Sequence, residues 1–116
     1  MIEINNLTVK RIDKNFLKSI AQRVLKEEKH KKINLSIALV GKKKIKTINK
    51  RFRGKDEVTD VLSFGEGVNE IIICPAVVKT KKELALILIH GILHLLGYEH
   101  GPEMEKKQKD YLSKFF

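Results

Sequence analysis

The sequence predicts an α+β domain in which one mixed sheet of about four strands is covered by helices, in the order βαβαββαα. Three observations lead to it. Ile33, Leu35, Ile37 and Leu39 alternate with Asn34, Ser36 and Ala38, the period-two pattern of a strand with one face in a core. Residues 84–96 form an apolar run of thirteen, long enough for several helical turns. Both prolines, Pro75 and Pro102, fall between the periodic segments, and no repeat, low-complexity tract or linker interrupts the chain. At 116 residues the whole of 1–116 is expected to be a single domain, large enough for one core and too small for two.

Taken in order, Ile2 and Ile4 begin an alternating strand over residues 2–9. Asp13 is a good N-cap for a helix running to about residue 29, with Phe16, Ile20 and Val24 on one stripe. The clear strand 33–39 ends at Val40 and Gly41. A second helix, from residue 42 to about 51, buries Ile45 and Ile48 and turns its lysines outward. Residues 54–60 are a polar loop. Residues 61–64 and 70–74 are short strands joined as a hairpin by Gly65, Glu66 and Gly67, and Pro75 ends the second. A long helix over about 80–96 is apolar almost all round, so it should be the central, most buried element. Pro102, at a first-turn position, starts a last helix to about residue 114.

Charge and cysteine content narrow the function. The chain carries +10 at neutral pH, and 33% of its residues are charged against a usual ~25%. Residues 1–55 hold 17 Lys or Arg against 4 Asp or Glu, whereas residues 56–116 hold 7 against 10. Lys42, Lys43, Lys44, Lys46, Lys50, Arg51, Arg53 and Lys55 cluster, which points to a polyanionic partner. Lysine-rich solvated helices alone would give a similar excess. Arg51 and Arg53 shift the balance toward nucleic acid, because a planar guanidinium matches phosphate. The apolar run falls short of the roughly 20 residues of a membrane span, and the N-terminus lacks the layout of a signal peptide. A single cysteine, Cys74, cannot form an internal disulfide, so a cytoplasmic protein is expected, with Cys74 a small buried hydrophobe.

Chemistry concentrates in residues 90–100. All but one of the four histidines fall within these eleven residues, as His90, His94 and His100. A spacing of four is about 400° of helical rotation and roughly 6 Å of rise, so His90 and His94 project from one face. Gly97 stands where the helix would end, and the reversal it permits returns His100 beside them. Three converging imidazoles without a fourth ligand describe a metal site with one position open, on the central helix. The spacing is that of the long zinc motif of metzincin proteases, except that the position of their general-base Glu is Gly91 here. That argues against peptide hydrolysis and leaves the ion's capacity to acidify water, to a pKa of about 7, as the source of a nucleophile.

The run His90 to His100 also resembles the signature of the YbeY endoribonucleases, or rRNA maturation factors. A second block, from Asn49, Lys50, Arg51, Phe52 and Arg53 through Asp56 to Thr59, Asp60, Val61, Leu62, Ser63 and Phe64, is similar to another segment of that family. Val58 and Gly65 stand where the family has proline, and Glu99 where it has aspartate before the third histidine. The resemblance implies one zinc ion per chain on His90, His94 and His100, with Arg53 near it. It also implies single-strand-specific RNA cleavage in ribosomal RNA maturation and ribosome quality control. The implied partners are ribosomal RNA and the small ribosomal subunit, with a ribosomal protein or an assembly GTPase as intermediary, and no membrane.

On this reading Arg53 pairs with a phosphate oxygen, and RNA lies along the surface of Lys42, Lys43, Lys44, Lys46, Lys50, Arg51 and Arg53. Glu99 either orients an imidazole or faces solvent. Thr59, Asp60 and Ser63 are expected to order their loop, Lys55 and Asp56 to be solvated charges, and His30 to face solvent. Tyr98 either stacks on a base or packs over the end of the metal helix. The sequence identifies no general base, normally worth about 10²–10⁴-fold in rate. Two other functions are compatible with it: a non-catalytic ribosome assembly factor stabilised by zinc, and a metallohydrolase of another substrate class.

Overall fold

A computed structural model of the chain describes residues 1–65 and 67–116. Its elements are β1 (Ile2–Asn6), α1 (Lys14–Glu27), β2 (Leu35–Leu39), α2 (Lys42–Arg53), β3 (Val61–Phe64), β4 (Glu70–Ile73), a 3-10 turn (Pro75–Val77), α3 (Lys81–Leu95) and α4 (Pro102–Ser113). The strands lie in the order β1-β2-β4-β3. β1, β2 and β4 are parallel, and β3 runs antiparallel to β4, so the expected mixed four-stranded sheet is the one observed. The β3–β4 hairpin is present with Phe64 opposite Glu70; Glu66 of its expected connection lies outside the described residues.

Alternation along the strands divides the core in two. Ile37, Leu39, Ile71 and Ile73 face the larger cluster, where they meet α1, α3 and α4. Val40, Leu62, Ile72 and Cys74 face the other way, covered by Ile45 and half-buried Ile48 of α2. β4 is covered on both faces, which is why Ile71, Ile72, Ile73 and Cys74 form an unbroken apolar run rather than an alternating one.

The differences from expectation have local causes. β1 stops at Asn6, short of residue 9, because the Asn6 side chain captures the backbone. Its amide donates to the Lys10 carbonyl at 2.7 Å, and its Oδ1 accepts from the Thr8 N–H at 3.0 Å and the Thr8 hydroxyl at 2.6 Å. α1 is capped as expected by Asp13, which accepts from the Phe16 N–H at 3.0 Å. It ends at Glu27 through a left-handed Lys29 (φ 65°), with the N–H groups of Lys29 and His30 closing on the carbonyls of Lys26 and Leu25. The buried stripe of α1 is Leu17, Ile20, Ala21, Val24 and Leu25, with Phe16 half-buried at its margin against Phe115 and Phe116. α2 runs two residues beyond the expected 51, to Arg53. It also buries Asn49, only 3% exposed, whose side chain donates to the Glu57 carbonyl at 3.0 Å and so anchors the loop 54–60.

α3 opens with a reciprocal cap. The Thr80 hydroxyl accepts from the Glu83 N–H at 3.0 Å, and the Glu83 carboxylate accepts from the Lys79 N–H at 2.9 Å. Its buried residues Leu84, Ala85, Leu88, Ile89, Ile92 and Leu93 meet the sheet and the other two helices, so it is the central element. Gly91 lies hard against the sheet. A Cβ there would stand 3.2 Å from Ile71 Cγ2, 3.2 Å from Ser63 Oγ and 3.3 Å from Val61 Cγ2. Position 91 therefore faces β3 and β4 and not the histidine face. Gly91→Glu is expected to lose more than the ~1–3 kcal/mol of ordinary overpacking, because a carboxylate would be driven between Ile71 and Val61. Urea-unfolding midpoints measure this, and wild-type stability in the variant would show that the position opens into solvent.

Candidate metal centre

The last two turns of α3 carry His90 and His94, and Gly97 at φ 100° closes the helix. The N–H groups of Gly97 and Tyr98 bond the carbonyls of His94 and Leu93, both at 3.0 Å, and this reversal returns His100 to the helix end. One ring nitrogen from each of the three histidines lies within 4.8 Å of the others. His94 Nε2 and His100 Nε2 are 3.1 Å apart. The geometry thus assembles the trio that the spacing predicts.

Two other groups decide which nitrogens are available. His90 Nδ1 is hydrogen-bonded to Gln108 Oε1 from α4, and His94 Nδ1 to the Tyr98 carbonyl at 3.0 Å. Both partners are acceptors, so each Nδ1 carries the hydrogen, and in the neutral ring Nε2 is left with a lone pair. His94 Nε2 then faces the ring nitrogen of His100 across a gap that a shared proton or a cation can bridge. Three convergent imidazole nitrogens, two of them on rings oriented from behind, fit a divalent ion.

The trio lines a cleft of about 810 Å³ together with Arg53, Asp60 and Ser63. Arg53, on the last turn of α2, donates from Nη2 to the Ser63 carbonyl at 2.7 Å and lies with its guanidinium carbon 4.7 Å from the Phe64 ring centroid. Its remaining N–H groups make no other bond among the described residues, so the fork can still receive an anion. Ser63 also donates its hydroxyl to the Gly91 carbonyl at 3.0 Å, tying β3 to α3. The cleft also takes in Glu57, Thr59 and Lys55, the last of them an exposed charge as expected, at the cleft wall.

The other expected residues lie further out. Lys42, Lys43, Lys44, Lys46, Lys50 and Arg51 are all exposed along α2, outside the cleft lining. Lys46 and Lys50 stand 4.0 and 3.9 Å from Asp56, and Arg51 lies over the Phe52 ring. Glu99 is exposed in a separate groove with His30 and Glu103. The imidazole-orienting work considered for it falls to Gln108 and the Tyr98 carbonyl. Sequence reading missed both: Gln108 is eight residues past His100 on another helix, and a carbonyl has no residue signature. Tyr98 is half-buried and packs against the core.

The sequence pattern described as "Endoribonuclease YbeY" matches residues 2–115. A protein of that name from a Sulfurihydrogenibium species is 38% identical over 114 residues, spanning 83% of this chain and 75% of its own. One from Thermotoga neapolitana is 39% identical over 119 residues, spanning 85% and 80%. A solution structure of a Thermotoga maritima protein is similar at a TM-score of 0.73 and 36% identity, over 97% of this chain and 87% of that one.

Burial, and then the nearness of His90 and His100, hold the His94 imidazole below the ordinary 6.5, against the opposing pull of its bond to the Tyr98 carbonyl. In the unfolded chain His94 binds a proton near 6.5, and in the fold only at lower pH. The metal-free protein should therefore lose stability as pH falls through 6.5, with the loss levelling off below the folded-state value. Unfolding curves in chelator on either side of 6.5 test this against His94→Asn, which should show the shallower pH dependence; equal slopes would contradict it.

Proposed function

Because the chain belongs to the endoribonuclease YbeY family, we propose that it is a zinc-dependent endoribonuclease of the cytoplasm that cuts single-stranded ribosomal RNA during rRNA maturation and ribosome quality control. One observation carries the mechanism: three convergent imidazoles and an arginine fork line the same cleft. His90, His94 and His100 would hold one ion per chain at the wall of this cleft. When bound, a divalent ion on neutral ligands keeps its full charge and supplies Lewis-acid polarisation to a phosphodiester and to water.

The chain's own groups do the rest. Gln108 and the Tyr98 carbonyl accept from Nδ1 of His90 and His94, which would leave Nε2 of each to hold the ion. Arg53 takes a nonbridging phosphate oxygen, its fork held by the Ser63 carbonyl and the face of Phe64. Position 91 cannot supply a base, and the carboxylates available to accept a proton in the cleft are Glu57 and Asp60. Phe52, 57% exposed and edge-on to Phe64, offers a ring to an unpaired base, and the exposed cations of α2 extend the phosphate track. RNA of the small ribosomal subunit is the substrate, reached directly or through a ribosomal protein or an assembly GTPase.

A purely structural ion explains less. α3 is packed by apolar side chains on several sides without help from the histidines, and His100 is exposed. A peptidase is disfavoured by the direction of position 91 and by the basic helix beside the cleft.

His100→Ala should stay folded, lose metal and lose cleavage of single-stranded RNA by at least the ~10²-fold expected for a missing catalytic group. A folded, metal-free variant that still cuts RNA or still restores ribosome maturation overturns the catalytic reading. Replacing Lys43 and Lys44 together by Ala should weaken RNA binding and flatten the dependence of log affinity on log salt by about 0.7 for each phosphate that is no longer neutralised. An unchanged slope would remove the first turn of α2 from the RNA path.

A further inference from the structure

We propose that Glu28, at the C-terminal cap of α1, is a positioning residue for the metal centre and sets the imidazoles of His90 and His94 through two relays. The inference rests on the reading of the three histidines as metal ligands. The side chain of Glu28 is only 8% exposed, a degree of burial that carboxylates tolerate only when well compensated. Three donors meet it. Glu28 Oε1 accepts from the Tyr98 hydroxyl at 2.6 Å, and Oε2 accepts from Lys107 Nζ at 3.0 Å and from the Tyr111 hydroxyl.

Each of those donors leads toward the metal centre. Tyr98 is held at its side chain by Glu28 and at its carbonyl by the Nδ1–H of His94, so the carboxylate fixes the residue that aims His94. Lys107 and Tyr111 belong to α4, and Gln108, the residue after Lys107, bonds His90 Nδ1. By gripping α4 at Lys107 and Tyr111, Glu28 fixes the height and rotation from which Gln108 reaches His90. One carboxylate outside the cleft thus stands behind both orienting groups.

The charge state suits the task. Burial pushes the Glu28 carboxyl up, but the bonds from Tyr111, Tyr98 and Lys107 outweigh it and hold the group below the ordinary 4.5. Tyr111 is raised by burial and then by its bond to Glu28, so acceptor and donor keep fixed roles through neutral pH. A buried ionic cluster of this kind stabilises a fold little better than apolar packing does, so geometric definition is its more telling contribution.

The test is metal affinity, read by zinc competition against a chromophoric chelator, with the visible spectrum of the cobalt-loaded protein as a report on ligand geometry. Tyr98→Phe removes the hydroxyl and leaves the carbonyl; Glu28→Gln removes the charge. Each should weaken metal binding about 10–100-fold and alter the cobalt spectrum. Ile20→Val, which loosens the buried face of α1 without touching the relays, should lower stability and leave affinity unchanged. Wild-type affinity and spectrum in Tyr98→Phe overturn the proposal, and so does an equal loss of affinity in Ile20→Val. RNA cleavage by the wild-type chain is followed separately: a protein that binds metal through these relays yet cuts no RNA sinks the nuclease reading alone. A wild-type chain that binds neither ion sinks both.

Discussion

The arrangement of the site depends on how closely α3 lies against β3 and β4. Gly91 permits the approach, since any Cβ there would crowd Ile71, Ser63 and Val61 at 3.2–3.3 Å. Ser63 then uses both of its polar ends. Its hydroxyl reaches the Gly91 carbonyl on one side, and its own carbonyl holds Arg53 on the other. The spacing between the histidine face of α3 and the guanidinium at the end of α2 is thus set by one strand residue that touches both helices. Helix pitch does the rest, turning His90 and His94 toward the cleft while position 91 turns into the sheet.

This geometry commits the chemistry. In a protease with the same spacing the residue after the first histidine is a carboxylate base; here that position is consumed by packing. Three neutral imidazoles leave a bound ion its whole charge, which suits a substrate that is itself anionic better than a neutral amide. The surroundings agree. α2 contains seven basic residues and no acidic one, and its last turn delivers Arg53 to the cleft wall. Asp56 lies near Lys46 and Lys50, but at about 4 Å and in solvent such pairs are weak and screened, so the helix keeps its positive field.

Much of this was legible in the sequence because it is periodic or adjacent. Two-residue alternation marks β2, turn and cap residues bound the helices, and the spacing of four, a glycine and six gives the histidine trio. What escaped is held by bonds between distant segments or by side chains that replace the usual signals. The early end of β1 is an Asn6 side-chain turn, and the stop of α1 uses a left-handed lysine where glycine is the usual signal. Asn49 reads as one more polar residue on a cationic helix, yet it is buried because it anchors the following loop. Adjacency is a poor guide to the imidazole partner. Glu99 neighbours His100 in sequence, but the chain reversal points it into another groove, while Gln108 arrives from a helix packed alongside.

The two halves of the site come from opposite faces of the sheet. α2 covers one face alone, while α1, α3 and α4 share the other. Such elements can meet only where the sheet ends, and here they meet at β3, one of its two edge strands. An edge strand normally presents unpaired backbone groups that invite another chain. β3 is four residues long, gives the Ser63 carbonyl to Arg53, and forms a wall of the cleft with Val61, Leu62 and Ser63. Short length and adjacent positive charge both discourage pairing with a second copy, since two such edges would bring their cations together. The edge that most sheets must protect is here the place where Arg53 and the histidine trio are brought to the walls of one cleft.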